Sequence, residues 1–290
     1  MSNPSIPTPS HPVTIGDVTC WGSFTEIEAK FTRPSLGQIV QISTGEVHVC
    51  AVTTNRSAAC VGTNDHGQTD VPPDLGPVLS VSAGAHHSCA LTLAGNVRCW
   101  GSNLYGQSQV PAADGVQGQV VAVTAGYSHT CAQLQTGMVR CWGSDDQGES
   151  SGDSKLGRVA SVAAGELTTC AITPDQAVEC AGSGLDDRGP FLSLGAPKDR
   201  YICLLGAARG GTIHCWHYLV DDGNIYNEGD KCYESMDGLA PVKALAAGNC
   251  HVCAIMADGS ARCGGVNETG ETVPPPEARL PGSTLAIAAS

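Results

Sequence analysis

Short runs of alternating apolar and polar residues recur along most of the chain, separated by Gly-containing turns and polar loops. In the segment that begins at Val81, an apolar strand ends in Ala-Gly, and a second strand contains Cys-Ala. A Gly turn, a third strand ending at Cys and a polar loop complete the unit. Alternation over about four to eight residues, bounded by Gly turns, is typical of half-buried β-strands. The pattern therefore predicts an all-β protein built from strand hairpins.

The same unit returns about every 40 residues, which is the period of one blade of a β-propeller. The glycines that end its first strand are Gly45, Gly84, Gly126 and Gly165, which are 39, 42 and 39 residues apart. One degenerate copy, between Cys180 and Cys232, has lost the Ala-Gly step and carries a long loop after His217. Another copy is divided between the two ends of the chain, at Gly16–Gly22 and Leu285–Ala289.

Six internal copies and one shared copy predict a seven-bladed β-propeller, closed by pairing N- and C-terminal strands in one shared blade. A closed ring leaves no exposed sheet edge. The predicted propeller domain covers residues 10–290, and residues 1–9 form a flexible tail. An open solenoid is the alternative, but solenoids need polar caps and the sequence shows none.

The repeated motif resembles that of a known family. The step Ala-Gly-x-x-His-x-Cys-Ala-Leu, followed by Gly-x-Val-x-Cys-Trp-Gly-x-Asn-x-x-Gly-Gln, is similar to the repeat of regulator-of-chromosome-condensation proteins. The resemblance covers roughly Ser10 to Ala289 and implies a β-propeller. It also suggests guanine-nucleotide exchange on a small GTPase as one function. The cysteine positions are usually small or apolar in that family, so this chain is a cysteine-rich variant.

The 15 cysteines follow the repeat. Five pairs have nine residues between them and a sixth has eleven, usually with a turn near the middle. Strands folded back at that turn place the two cysteines opposite each other, where a bridge can form. The predicted hairpin disulfides are Cys50–Cys60, Cys89–Cys99, Cys131–Cys141, Cys170–Cys180, Cys203–Cys215 and Cys253–Cys263.

Three cysteines stand outside this series. Cys232 and Cys250 bracket the long loop of the degenerate repeat and are predicted to pair with each other. Aligning Cys20 with Cys99 places Ser10 where a partner is expected, so Cys20 is predicted to be a free thiol. Zinc is the alternative use of cysteine, but Cys250 and Cys253 form a lone CxxC without a second one at zinc spacing.

Charge and cysteine content restrict the partners and the compartment. Lys and Arg number 15 against 28 Asp and Glu, so the net charge is −13. Proteins that bind nucleic acid or anionic membranes need the opposite balance, so neither partner is expected. Disulfides imply an oxidising compartment, which predicts a secreted or cell-surface protein. Residues 1–12 lack the pattern of a signal peptide, and no apolar run is long enough to span a membrane.

Repeated histidines and tryptophans occupy equivalent positions in several units. Symmetry places the histidines in a ring around the propeller axis, where they could hold a metal. The simpler interpretation is that a repeated histidine satisfies a repeated backbone group, and no metal or other cofactor is predicted. The tryptophans follow a strand-end cysteine and are predicted to pack between neighbouring blades. The histidines of the ring are His48, His87, His129 and His251, and the tryptophans are Trp21, Trp100, Trp142 and Trp216.

Sequence variation concentrates in the loops that follow the third strands. Equivalent loops gather on one face of a propeller, and variable loops on a rigid scaffold are where binding usually takes place. The predicted face is acidic with two tyrosines, which suits a basic protein partner; calcium is a weaker alternative, because no loop has an ordered calcium motif. The predicted binding residues are Asp65, His66, Tyr105, Asp145, Asp146, Asp186, Asp187, Asp221, Asp222 and Tyr226.

These observations favour a non-catalytic, protein-binding propeller that is a monomer, or a dimer through Cys20. No residue is assigned a catalytic role, since the sequence lacks a nucleophile elbow and a phosphate loop. An exchange factor is the first alternative, but the cysteine content and the missing basic tail count against it. The others are an inhibitor like the bacterial propellers that cap β-lactamases, which use an aromatic-rich face, and an enzyme or metal-binding propeller with a site at the axial channel.

Overall fold

The computed structural model describes residues 13–15, 18–20, 39–112, 116, 119–182, 191–194, 201–206, 213–217, 219–221, 224–226, 242–247 and 251–265. In the first half of the chain the strands are β1 (Val13–Ile15), β2 (Val18–Cys20), β3 (Ile39–Thr44), β4 (His48–Thr53), β5 (Ala58–Gly62), β6 (Val78–Ala83), β7 (His87–Thr92), β8 (Val97–Gly101), β9 (Val120–Ala125), β10 (His129–Leu134) and β11 (Val139–Gly143). The second half contains α1 (Gly152–Lys155), β12 (Ser161–Ala164), β13 (Thr168–Ile172), β14 (Val178–Gly182), β15 (Phe191–Leu194), β16 (Tyr201–Gly206), β17 (Ile213–His217), β18 (Leu219–Asp221), β19 (Asn224–Tyr226), β20 (Val242–Ala247), β21 (His251–Met256) and β22 (Ala261–Gly265).

The described strands form repeated three-stranded antiparallel sheets, as expected for an all-β, propeller-like architecture. Six such sheets fall on the six internal repeats, and each is built from three consecutive strands with the second in the middle. Two further hairpins, β1–β2 and β18–β19, are two-stranded. The second of these hairpins lies within the predicted long loop of the degenerate repeat. The C-terminal part of the predicted shared blade lies outside the described residues.

Consecutive sheets pack face to face, and their first strands lie next to each other. Thus β3 contacts β6, β6 contacts β9, and β9 contacts β12. Apolar residues fill the space between sheets: Cys50 and Val52 of one sheet pack with Val78, Val81 and Trp100 of the next. The small repeating apolar residues are therefore buried between sheets, which is why few aromatic residues are needed.

Five of the six predicted hairpin disulfides are present in the structure. In each, the two cysteines are directly opposed in the register of the second and third strands. The bridges are Cys50–Cys60, Cys89–Cys99, Cys131–Cys141, Cys170–Cys180 and Cys253–Cys263.

The structure describes only some of the other cysteines for which a partner was predicted. Cys203 and Cys215 are opposed in the backbone register of β16 and β17, and their side chains lie outside the described part of the chain. Cys232 and Cys250 lie wholly outside it. At the N-terminus, Val13 pairs with Cys20, so Ser10 is not the residue opposite Cys20. The expected alignment was wrong because only residues 16 and 17 separate these two strands, which makes the hairpin shorter than the others.

Removing one hairpin disulfide should weaken the fold measurably. With Cys89 and Cys99 both replaced by alanine, we expect the free energy of unfolding to fall by about 2–4 kcal/mol, because the unfolded chain regains the freedom of the closed loop. Urea unfolding of the variant and the unaltered protein without reductant measures the difference. With all bridges reduced, the difference should shrink to that of two side-chain substitutions. Equal unfolding free energies without reductant would contradict the bridge's stabilising role.

Within the described residues the only helix is α1, which has four residues, and no helix there is long and apolar enough to cross a membrane.

Candidate functional site

Two sets of connecting segments meet at one end of the sheets. The second strand pairs with both neighbours, so His48 at its start lies opposite Gly62 at the end of the third strand. The turn before the second strand and the loop after the third therefore emerge together. Backbone hydrogen bonds join them: Thr63 N–H donates to the Val47 carbonyl at 2.9 Å. We call this end the loop face; in the first three sheets it comprises the turns 45–47, 84–86 and 126–128 and the loops 63–67, 102–106 and 144–148.

The structure places five of the predicted binding residues on the loop face. Asp65 and His66 are exposed at the tip of the first loop. Tyr105 is 55% exposed in the second. Asp145 and Asp146 are exposed in the third. Equivalent loops of the repeat thus present their tips at the same end of successive sheets.

Asp145 differs from its neighbour because its carboxylate is used inside the loop. It accepts hydrogen bonds from Ser150 N–H at 2.9 Å and from the Ser151 hydroxyl at 3.0 and 3.1 Å. Burial alone would raise the pKa of Asp145, but the hydrogen bonds from Ser150 and Ser151 outweigh it and hold the pKa below its usual value. Asn64 and Asn103 cap the equivalent loops in the same way. Asp145 is therefore first a turn-stabilising residue.

The side chains of the remaining predicted binding residues are not described by the structure. Asp186, Asp187 and Asp222 lie outside the described residues. Asp221 and Tyr226 belong to the backbone of the β18–β19 hairpin, in which Asp221 pairs with Asn224.

The turns before the second strands add loop-face residues that the sequence interpretation missed. His86 lies at the centre of the group: its ring centroid is 5.2 Å from that of His66 and 6.2 Å from that of Tyr127. The Glu46 carboxylate oxygen Oε2 is 3.7 Å from His86 Nε2. The sequence already shows that these turns differ between repeats, because the two residues after each repeated glycine vary: they are Glu46-Val47, Ala85-His86, Tyr127-Ser128 and Glu166-Leu167.

Charge is distributed unevenly between the two ends of the sheets. Glu46, Asp65 and Asp146 are exposed on the loop face. Among the described lysines and arginines, only Lys155 comes near this face, where its Nζ approaches Gly148. The others lie on third strands, or at the opposite end where the turns between second and third strands and the starts of first strands are found. They are Arg98, Arg140 and Arg262 on third strands, and Arg56, Arg158 and Lys243 at the opposite end.

The repeated histidines link consecutive sheets through hydroxyl groups. His48 Nε2 lies 2.8 Å from Ser88 Oγ in the next sheet. That hydroxyl donates to the Gln68 carbonyl at 2.8 Å. Because the hydroxyl has one proton and donates it to the carbonyl, it accepts from the histidine, which therefore carries its proton on Nε2. The same series of hydrogen bonds links His87 to Thr130 and the Gln107 carbonyl. It also links His129 to Thr169 and the Glu149 carbonyl.

His48, His87 and His129 are fully buried. Burial lowers the pKa of His87 from 6.5 to about 3, and it lowers the pKa of His129 to about 4. In the fourth sheet Thr168 replaces the histidine and donates to the Ala181 carbonyl of its own sheet. No group of three or more His, Cys, Asp or Glu suited to a metal occurs among the described residues, which exclude the His251 side chain. The hydrogen bonds to the following sheet make His48, His87 and His129 inter-sheet links.

The tryptophans join the same network. Trp100 Nε1 donates to the Gln68 carbonyl at 2.9 Å. Trp142 Nε1 donates to the Gln107 carbonyl, also at 2.9 Å. Each carbonyl belongs to the preceding repeat, so these two tryptophans pack between neighbouring sheets, as predicted. The loop ends are thereby fixed to the next sheet.

Comparison with known proteins identifies the class of the repeat. The family model of the regulator of chromosome condensation (RCC1) repeat matches residues 39–68, 78–107 and 120–149. These segments coincide with the first three described three-stranded sheets and the loops that follow them. The predicted resemblance is confirmed: the chain contains repeats of the RCC1 type, here in a cysteine-rich form.

Solved structures share this architecture. The entire ectodomain of the receptor kinase CR4 from Physcomitrella patens is 25% identical, with a TM-score of 0.64 over 88% of this chain and 68% of that one. The CRINKLY WD40 ectodomain of the receptor kinase ACR4 from Arabidopsis thaliana is 22% identical, with a TM-score of 0.58 over 80% and 86%. Prp20p from Saccharomyces cerevisiae, which binds Gsp1p and histones, is 17% identical, with a TM-score of 0.60 over 84% and 75%. No curated protein matches the sequence.

Proposed function

We propose that this chain is a non-catalytic propeller that binds a basic protein partner through its loop face, outside the cell or at its surface. The observation that carries the proposal is the uneven distribution of charge. Exposed carboxylates occupy the loop tips, whereas all described lysines and arginines except Lys155 lie elsewhere. Like charges facing each other cost binding energy, so such a face selects partners of opposite charge and accelerates their association.

The links between sheets make the loop face suitable for binding. Histidine, hydroxyl and tryptophan side chains fix each loop to the following sheet. A fixed loop loses little conformational freedom when a partner binds, which favours affinity. We further propose that residues 10–290 form one seven-bladed ring closed by a blade shared between the two ends, after a tail at residues 1–9. The ring acts as a monomer, or as a dimer joined through Cys20.

Five disulfides support the extracellular location, since such bridges persist in oxidising compartments. The likeness to the CR4 receptor kinase ectodomain, at 25% identity, points in the same direction. The likeness to Prp20p shows the fold alone, and exchange activity is not proposed for this chain.

A matched pair of variants tests the proposal. The test variant Glu46→Gln/Asp65→Asn/Asp146→Asn removes three charges from the loop face and leaves the turn cap Asp145 in place. The control Asp175→Asn/Glu179→Gln/Asp258→Asn removes three charges elsewhere. We expect binding to fall about tenfold in the test variant only, because each charge at an interface rim contributes about 0.5 kcal/mol.

Both variants and the unaltered protein are assayed against an arrayed panel of secreted and surface proteins of the source organism. The proposal requires at least one basic binder whose affinity falls in the test variant and is kept in the control. The absence of any binder, or equal affinities for the two variants, would overturn it.

A further inference from the structure

Three exposed apolar side chains and two histidines occur on the loop face of the first three sheets. Leu104 is 81% exposed, Tyr105 55% and Tyr127 40%. His86 contacts the rings of His66 and Tyr127, which come from the preceding and following sheets. We call these five residues the aromatic strip. Exposed apolar residues in a contiguous group commonly mark an interaction site.

The repeat explains how a loop of one sheet comes to lie beside the turn of the next. Each loop reaches from its own sheet towards the next, since the Gln68 carbonyl accepts from Ser88 and Trp100 of the following sheet. His66, in the first loop, accordingly contacts His86 in the following turn, with the two ring planes tilted by 55°. Tyr105 occupies the position of His66 in the second loop. It therefore lies beside the next turn, in which Ser128, the residue after Tyr127, occupies the position of His86.

Carboxylates occur on the same face as the strip. Glu46 Oε2 is 3.7 Å from His86 Nε2. Asp65 precedes His66 in the first loop, and Asp146 is at the tip of the third. Aromatic rings attract a cation through their π-faces, and carboxylates pair with it directly. A partner side chain with an apolar stem and a cationic head satisfies both features at once.

Arginine fits this arrangement better than lysine. Its planar guanidinium stacks on rings while its N–H groups still reach a carboxylate, and it is less strongly hydrated than an ammonium group. An acidic segment would face like charges, and a purely apolar segment would bury the carboxylates without partners. We propose that the aromatic strip is the anchor point for an arginine on an exposed segment of the protein partner.

This inference rests on the proposed function, and its test uses both the panel and a peptide probe. In the test variant Leu104→Ala/Tyr105→Ala, we expect the affinity for the panel binder to fall about tenfold, as for the loss of an aromatic anchor. The control Leu79→Ala/Leu93→Ala removes two apolar side chains that are 41% and 53% exposed at the opposite end. Its affinity should equal that of the unaltered protein.

The probe is a phage-displayed library of random linear peptides, selected on the unaltered protein and on the Leu104→Ala/Tyr105→Ala variant. We expect arginine, next to an apolar residue, to be enriched on the unaltered protein and not on the variant. Changing that arginine to lysine in a selected peptide should weaken binding about fivefold.

The two proposals fail differently. A panel binder that is sensitive to the loop acids but not to Leu104 and Tyr105 overturns the aromatic strip and leaves the proposed function standing. Selected peptides without arginine enrichment also overturn the strip. A panel without any binder overturns the proposed function itself.

Discussion

Replacing Gly84 by alanine is expected to lower the free energy of unfolding by more than about 3 kcal/mol, the range in which cores are disrupted. An added Cβ would overlap the carbonyl oxygen of Gly126 in the next sheet and lie 2.6 Å from His87 Nδ1. Neither of these neighbouring groups can move away easily, because backbone hydrogen bonds hold both in place. The Gly126 carbonyl accepts from Ala85 N–H at 3.3 Å, and Gly84 N–H donates to the His87 carbonyl at 2.9 Å.

Gly157→Ala is the control for this substitution. No atom lies within 4 Å of a Cβ added at Gly157, so this variant should be as stable as the unaltered protein or slightly more stable. Urea unfolding of both variants measures the effect. Equal stability of the Gly84 and Gly157 variants would show that the first strands are not packed as closely as described.

Stability should also fall by several kcal/mol between about pH 6.5 and pH 4. In the folded protein burial lowers the pKa of His87 to about 3 and that of His129 to about 4, against 6.5 for an ordinary histidine. The unfolded chain therefore binds protons first as the pH falls. Each unit by which the folded pKa lies below the unfolded pKa lowers the free energy of unfolding by about 1.4 kcal/mol per group once the pH has fallen through it. The contribution is fully present above pH 6.5 and is lost progressively below it.

Carboxylates change the stability in a lower pH range than the buried histidines, so the two contributions can be measured separately. The hydrogen bond and charge of Arg98 hold the pKa of Asp74 below its usual 3.8, so its contribution is lost only below about pH 4. The difference in unfolding free energy between pH 7 and pH 4.5, measured with urea, therefore reports the contribution of the histidines. A His87→Asn variant should be less stable at pH 7 but less sensitive to acid, whereas His66→Asn, at an exposed position, should keep the full sensitivity. An unchanged pH dependence in the His87 variant would contradict the assignment.

Local features of the fold could be predicted from the sequence, because each sheet is built from three consecutive strands of one repeat. The position of every described hairpin disulfide follows from two cysteines and the turn between them. The N-terminal hairpin was predicted with the wrong register because its turn has a different length, and Val13 rather than Ser10 pairs with Cys20.

Contacts between repeats were harder to predict. The repeated histidine was expected to meet a backbone group, but it reaches one through a hydroxyl of the following repeat. The sequence contains a trace of this relation, since Ser88 and Thr130 both directly precede the second-strand cysteine of the repeat that follows a histidine. Where Thr168 replaces the histidine, Ile202 stands at the hydroxyl position of the next repeat. A donor and its acceptor are thus lost together.

The residues of the loop face were predicted only in part, for a similar reason. The variable loops contain the predicted residues Asp65, His66, Tyr105, Asp145 and Asp146. The turns that carry His86 and Tyr127 lie far from those loops in sequence, and only the antiparallel pairing of the strands brings the two together.

Hydrogen exchange of the protein bound to its tightest panel partner tests the central claim most directly. Protection is predicted in the loops 63–67 and 102–106 and in the turns 84–86 and 126–128, with no change in the turns 54–57 and 93–96 at the opposite end. Protection confined to the opposite end would contradict a function of the loop face.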